Sequence, residues 1–191
     1  ERMQATAEEL GFETHAWYGR SRPHEQTVMQ LRVKGATTLG RWLAQECGEG
    51  AYNKHIPGVA FTWCLEARSA LLVALLEGDG TKTGAERWSY CTISPQLADD
   101  VQRLAITCGY SGRVRWHPRG KPAPHDRYTV LIGHRKQLTI RGSRTIRETH
   151  YTGQVVCLTV PTGSYITRRN GSMAVAGNST YWRNLPRSNF H

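Results

Sequence analysis

The sequence predicts an α+β fold. Three observations carry that prediction: a capped helix leading into two strands, an earlier copy of the same order, and an apolar helix that ends in acids and glycines. In the first, Ser94-Pro95 supplies a hydroxyl cap and then a proline at the first helical position. Leu97, Val101, Leu104, Ala105 and Cys108 recur at helical spacing until Gly109 stops the run. "RWSYCTIS" before this helix reads as a strand. So do "YSGRVRW" and "RYTVLIGHRK" after it, separated by the Pro- and Gly-rich "HPRGKPAPHD".

The N-terminal segment repeats this order. "MQATAEELGF" reads as a helix ending at Gly11, followed by "ETHAWYG", a polar loop and the strand "TVMQLRVKG". Setting Gly11 on Gly109 gives an offset of 109 − 11 = 98, and Gln4, Ala7 and Phe12 then fall on Gln102, Ala105 and Tyr110. Two copies of one α/β unit are expected, joined through "TTLGRWLAQECGEGAYNKHIPG".

The third element is "LLVALLEGDG". The run from about Leu65 to Leu76 is long enough for a core helix, and Ala70, Ala74 and Gly78 line one stripe of small residues. Such a stripe lets a second helix approach closely. Two such helices side by side would bring Asp79 and a partner acid together, which is costly without a cation between them. Mg²⁺ suits the position, being a hard ion that takes a carboxylate or two, waters and phosphate oxygens. An acid in an Asp-Gly turn after a core helix is the simpler alternative. At the offset of 98 a first copy of this helix would end near 79 − 98 = −19, before Glu1. The first unit is therefore expected to lack its opening helix, and the chain reads as a fragment.

Composition narrows the partners. Lys and Arg total 25 against 15 acids in 191 residues, a formal charge of +10, while 39% hydrophobic residues exclude a disordered polycation. A folded chain this basic favours a polyanion, with nucleic acid foremost. Cys47, Cys64, Cys91, Cys108 and Cys157 are scattered without a CxxC pair, which suggests neither a zinc site nor a disulfide framework and fits a reducing compartment. No apolar run is long enough to span a bilayer, so a cytoplasmic location without membrane association is expected.

"LVALLEGDG" resembles the LAGLIDADG motif of homing endonucleases. "LGRWLAQECGEGAYNKHIPG" before it and "SYCTISPQLADDVQRLAITCGYSGRV" after it resemble the flanks of the second motif in double-motif, intein-borne members. The resemblance implies pseudo-twofold αββαββα units and Mg²⁺-dependent hydrolysis of double-stranded DNA. It makes Asp79 the metal-binding catalytic carboxylate, with the Gly78 backbone beside it, and gives Glu77 a structural place at the helix end. Lys34 matches the basic residue that many members hold near the attacking water, with a second-unit equivalent near His134.

It also implies a saddle of antiparallel strands in the DNA major groove, where each base pair displays its own donor and acceptor pattern. Candidate contacts are Arg20, Arg22, Arg32, Arg113, Arg115, Arg119, Arg127 and Arg135, with Gln26, Gln30 and His125. Alternation along a strand would point Gln30 and Arg32 to one side. An ordinary solvated sheet face would account for any single arginine as well.

The tail "GQVVCLTVPTGSYITRRNGSMAVAGNST" changes character. "QVVCLTVP" reads as a strand and "SYITRRNGSMAVAG" as a hairpin about Asn170-Gly171. The pattern resembles the C-terminal splicing (Hint) region of inteins: a "VxDLTV"-like strand, an aromatic (Tyr165), then an apolar stretch ending in Asn before Ser. By that resemblance Asn178 cyclises and breaks the Asn178–Ser179 bond, and Ser179 begins the host protein and receives the acyl group. Two positions depart from the pattern. Gly177 stands where most inteins carry His, removing a general acid. Cys157 stands where Asp is usual; a minority of inteins use a cysteine there as first acyl acceptor, and a core strand cysteine fits as well.

The expected organisation is a first unit over 1–50, a second over 51–142, an all-β splicing segment over 143–178 and a host remnant over 179–191. Its partners would be double-stranded DNA and the upstream part of the same intein with its host. The alternative is a LAGLIDADG module that binds nucleic acid without cleaving it, as a regulator or maturase-like protein.

Overall fold

The computed structural model describes residues 2–19, 28–33, 37–120, 124–134, 148–154, 156 and 158–177. The chain is α+β with antiparallel sheets and divides into two compact units, Glu1–Pro57 and Gly58–His191. In the first, α1 (Arg2–Glu9) leads into the antiparallel pair β1 (Thr14–Gly19) and β2 (Val28–Val33). Helices α2 (Thr37–Cys47) and α3 (Gly50–Asn53) follow, so the joining segment is itself helical.

The second unit opens with a 3-10 turn at Gly58–Thr62 and the helix α4 (Leu65–Asp79). The helix runs past Leu76, the expected end, because neither Glu77 nor Gly78 breaks the ladder. It then passes without a linker into β3 (Gly80–Gly84). The Gly80 N–H caps the helix on the Leu76 carbonyl. A Cβ at Gly80 would run into that same carbonyl oxygen, so the direct helix-to-strand passage requires glycine.

Strand β4 (Arg87–Thr92), helix α5 (Pro95–Thr107), and strands β5 (Ser111–His117) and β6 (Arg127–Gly133) complete a sheet in the order β3-β4-β6-β5. The Ser94 hydroxyl accepts the Leu97 N–H at 3.1 Å and Pro95 opens α5, as the sequence predicts. One face of α5 (Leu97, Ala98, Val101, Leu104, Ala105) is buried with Leu72 and Leu76 of α4 and with Tyr90, Val130 and Ile132 of the sheet. This is the core of the unit.

The internal repeat is visible in hydrogen bonds. At the end of α1, Leu10 N–H donates to Thr6, Gly11 to Glu8 and Phe12 to Ala7. At the end of α5, Cys108 donates to Leu104, Gly109 to Ile106 and Tyr110 to Ala105, each pair displaced by 98 positions. Gly11 and Gly109 hold φ of +80° and +86°, the left-handed cap that glycine tolerates. From its opening helix the second unit reads αββαββ, and the described part of the first reads αββα.

One expectation is corrected. The described residues of "QVVCLTVP" (Gln154, Val156 and residues 158–161) form no strand; Val156 and Leu158 are exposed, with no strand among the described residues beside them to complete a ladder. Conversely, "GTKTG" forms β3 although its sequence carries no apolar alternation, because pairing with β4 supplies its hydrogen bonds. The expected hairpin is present as β7 (Ser164–Arg169) and β8 (Ser172–Gly177), turning through Asn170 and Gly171 at φ of +50° and +70°. Positive φ at both turn residues is the geometry that follows strand twist, which explains the Asn-Gly pair.

Candidate functional site

Asp79 is the last residue of α4 and is exposed, as are Glu77 and Gly78. A helix ends with carbonyls that lack intrahelical partners and with the negative pole of its dipole, so this tip favours a cation. Ala70, Ala74 and Gly78 are all exposed, and so are Leu65 (50%) and Val73 (48%); Leu72 and Leu76 occupy the buried side. A helix this apolar thus keeps a bare stripe that leads to its acidic end.

Beneath the tip, Gly80 pairs across the sheet with Tyr90, which is 1% exposed. Burial first, and the Asp79 carboxylate second, push the Tyr90 hydroxyl up to about 12. Among the described residues no three His, Cys, Asp or Glu side chains converge as a metal cluster. Asp79 stands there as a single exposed carboxylate at the helix end.

The sheet register sorts the basic residues. Gly112, Val114 and Trp116 alternate with Arg113, Arg115 and His117 along β5. Gly112 and Val114 pair with Ile132 and Val130, both buried, and a Cβ on Gly112 would meet Gln102 of α5, so that face turns to the core. Arg113, Arg115 and His117 consequently share the opposite face with Arg127, Thr129 and Leu131 of β6 and with Ser89 and Cys91 of β4. The Cys91 sulfur lies 3.6 Å from the Thr129 hydroxyl on this face. Arg113, Arg115 and Arg127 are exposed.

The loop between β5 and β6 is held by Asp126, whose carboxylate accepts the Arg119 backbone N–H at 2.8 Å and the Trp116 indole N–H at 3.2 Å. These donors hold its carboxyl below the usual range, the Arg119 N–H contributing most. Arg119 and His125 are exposed on the same loop.

The structure thus groups Arg113, Arg115 and Arg127 on one face and places Arg119 and His125 at its end. Gln30 and Arg32 lie on β2, opposite Trp17 and His15 of β1. Arg20, Arg22, Gln26, Lys34, Arg135, Cys157, Asn178 and Ser179 lie outside the described residues. Val33 pairs with Thr14 as Ile132 pairs with Gly112, the same register in both units. The His134 ring lies 4.4 Å from that of Tyr110. His117 and Tyr90 were not among the sequence candidates. Alternation from Arg113 and Arg115 points to His117, whereas nothing local marks Tyr90.

No protein-family profile matches the chain. It is 32% identical over 105 residues to the ATP-dependent DNA helicase Hel308 of Thermococcus kodakarensis, covering 48% of this chain and 9% of that protein. It is 26% identical over 189 residues to the replicative DNA helicase DnaB of Mycobacterium intracellulare, covering 85% and 32%. It is 31% identical over 113 residues to a DNA gyrase subunit of Mycobacterium gordonae, covering 56% and 20%. The chain spans less than a third of the length of each of these relatives.

Proposed function

We propose that this chain is a piece of an intein: the DNA-cleaving LAGLIDADG unit followed by the C-terminal part of the splicing region. The observation that carries the proposal is α4, an apolar helix with a bare small-residue stripe that ends in an exposed carboxylate on the edge of a sheet bearing four exposed arginines, Arg87, Arg113, Arg115 and Arg127. An isolated core helix would bury that stripe. A helix awaiting its twin would present it.

The relatives support the same reading from another side. A segment matching proteins with three different names, while filling less than a third of each, is the distribution expected of an element carried by several hosts. Two of those names are DNA helicases and the third belongs to a DNA gyrase, which favours a DNA context.

In this reading Arg113, Arg115 and Arg127 neutralise phosphates. Alternate strand residues rise about 6.6–6.8 Å, so Arg113 and Arg115 would follow the phosphates of one DNA strand from the same face of β5. Asp79, with the Gly78 carbonyl, would hold Mg²⁺, and Lys34 would orient the attacking water. The bound ion supplies polarisation of the phosphate and a more acidic water. At the other end the Asn178 amide nitrogen attacks its own carbonyl carbon; the bond to the Ser179 nitrogen breaks, and that amine takes the proton.

The test is duplex cleavage by the complete parent protein in Mg²⁺. Asp79→Asn should abolish cutting and leave DNA affinity in place. Undiminished cutting would remove Asp79 from the site. A second reading, a module that binds DNA without cutting it, draws on the lack of a metal cluster among the described residues. It would take over if the unaltered parent bound duplex DNA and left it intact.

A further inference from the structure

The hairpin β7–β8 ends at Gly177, immediately before the Asn178–Ser179 bond, yet its turn is seated on the α5–β5 corner of the other part of this unit. The Gly171 carbonyl accepts the Val114 N–H of β5 at 2.9 Å and the Gln102 Nε2–H of α5 at 2.8 Å. Gln102 is fully buried, and the same Nε2 also donates to the Gly112 carbonyl at 3.0 Å. Two carbonyl acceptors fix which way this amide points, because its oxygen cannot donate. The Gln102 Oε1 is buried without a partner, a cost that is hard to rationalise unless the two donated bonds are needed. Arg168 of β7 adds an ion pair with Asp99 of α5. A Cβ at Gly171 would strike the Val114 carbonyl, so only glycine closes this contact.

We infer that the α5–β5 corner is the seat of the hairpin that leads into the C-terminal cleavage junction, with Gln102 as the positioning residue. The splicing segment is then no independent module. Its last strand is held by the unit that carries the basic sheet face, and loosening the seat slows Asn178 cyclisation without touching the reacting atoms. This rests on the assignment of Asn178–Ser179 given above. The seat itself stands on the hydrogen bonds alone.

The experiment has two readouts. In the chain as it stands, Gly171→Ala should raise amide exchange at Val114 and across residues 165–176 by about tenfold, the loss of one buried hydrogen bond. The core amides of α5 should remain unchanged, which shows that the unit is still folded. In the complete parent with its host flanks, Gly171→Ala and Gln102→Ala should each slow release of the segment after Asn178 by a similar factor, while affinity for duplex DNA stays the same. Unchanged exchange at Val114 in Gly171→Ala would overturn the seat. Faster exchange with an undiminished release rate would overturn the coupling. A parent that releases nothing at Asn178 even when unaltered would instead overturn the splicing assignment, leaving the exchange result to judge the seat.

Discussion

Tyr90 illustrates how a site can be shaped by a residue that no motif announces. Its hydroxyl is pushed up to about 12 by burial and by the nearby Asp79 carboxylate. The folded state therefore holds this proton more tightly than the unfolded chain, whose tyrosines titrate near 10. That contribution is intact below about pH 10 and is lost as pH rises from there through the folded value near 12. Tyr90→Phe should accordingly flatten the alkaline limb of the unfolding curve between about pH 10 and 12 while leaving neutral stability within about 1 kcal/mol. Thermal melts at a series of pH values would check this; an identical alkaline limb in both proteins would contradict it. The place of Asp79 at the end of α4 was legible because Gly78 and Gly80 bracket an acid directly after an apolar run. Tyr90 was not, because its neighbour depends on the register of β3 against β4, which local sequence does not encode.

At the scale of elements, the helix caps were the most readable features. Ser94-Pro95 and Gly109 announce both ends of α5 by chemistry confined to a few residues, and Gly11 does the same for α1. β3 was illegible for the opposite reason, since a Thr-Gly-Lys strand is chosen by its partner rather than by its own pattern. "QVVCLTVP" failed in mirror image: its apolar run describes a strand, but the described residues offer it no ladder. Gly80 tests the junction between helix and sheet. Gly80→Ala forces a Cβ against the Leu76 carbonyl, and overpacking against backbone should cost about 1–3 kcal/mol. Gly78→Ala, which meets nothing within 4 Å, should be neutral or slightly stabilising through helix propensity. Chemical denaturation of the two variants compares them directly, and equal midpoints would refute the account of the junction.

For the whole molecule the governing quantity is the charge of +10 and how it is spread. Composition gives its size, but only the pairing of β5 with β6 shows that Arg113, Arg115 and Arg127 share one face. If that face lies on phosphates, each contact contributes about 0.9 to the slope of log affinity against log salt. Replacing all three with alanine should therefore flatten the slope for duplex DNA by about 2.7 at most. Titrations from low to high salt would measure it, and an unaltered slope would move the DNA elsewhere on the protein. The repeat at 98 positions belongs to this scale as well. Few identities betray it, whereas three matched cap bonds do.

The passage from α4 into β3 through a single glycine leaves no slack between rod and ribbon. Any tilt imposed on the helix by whatever comes to lie along Ala70 and Ala74 must be handed to the strand and, through β4 and β6, to the arginine-bearing surface. Assembly at one edge would in that way set the curvature with which the other meets a groove.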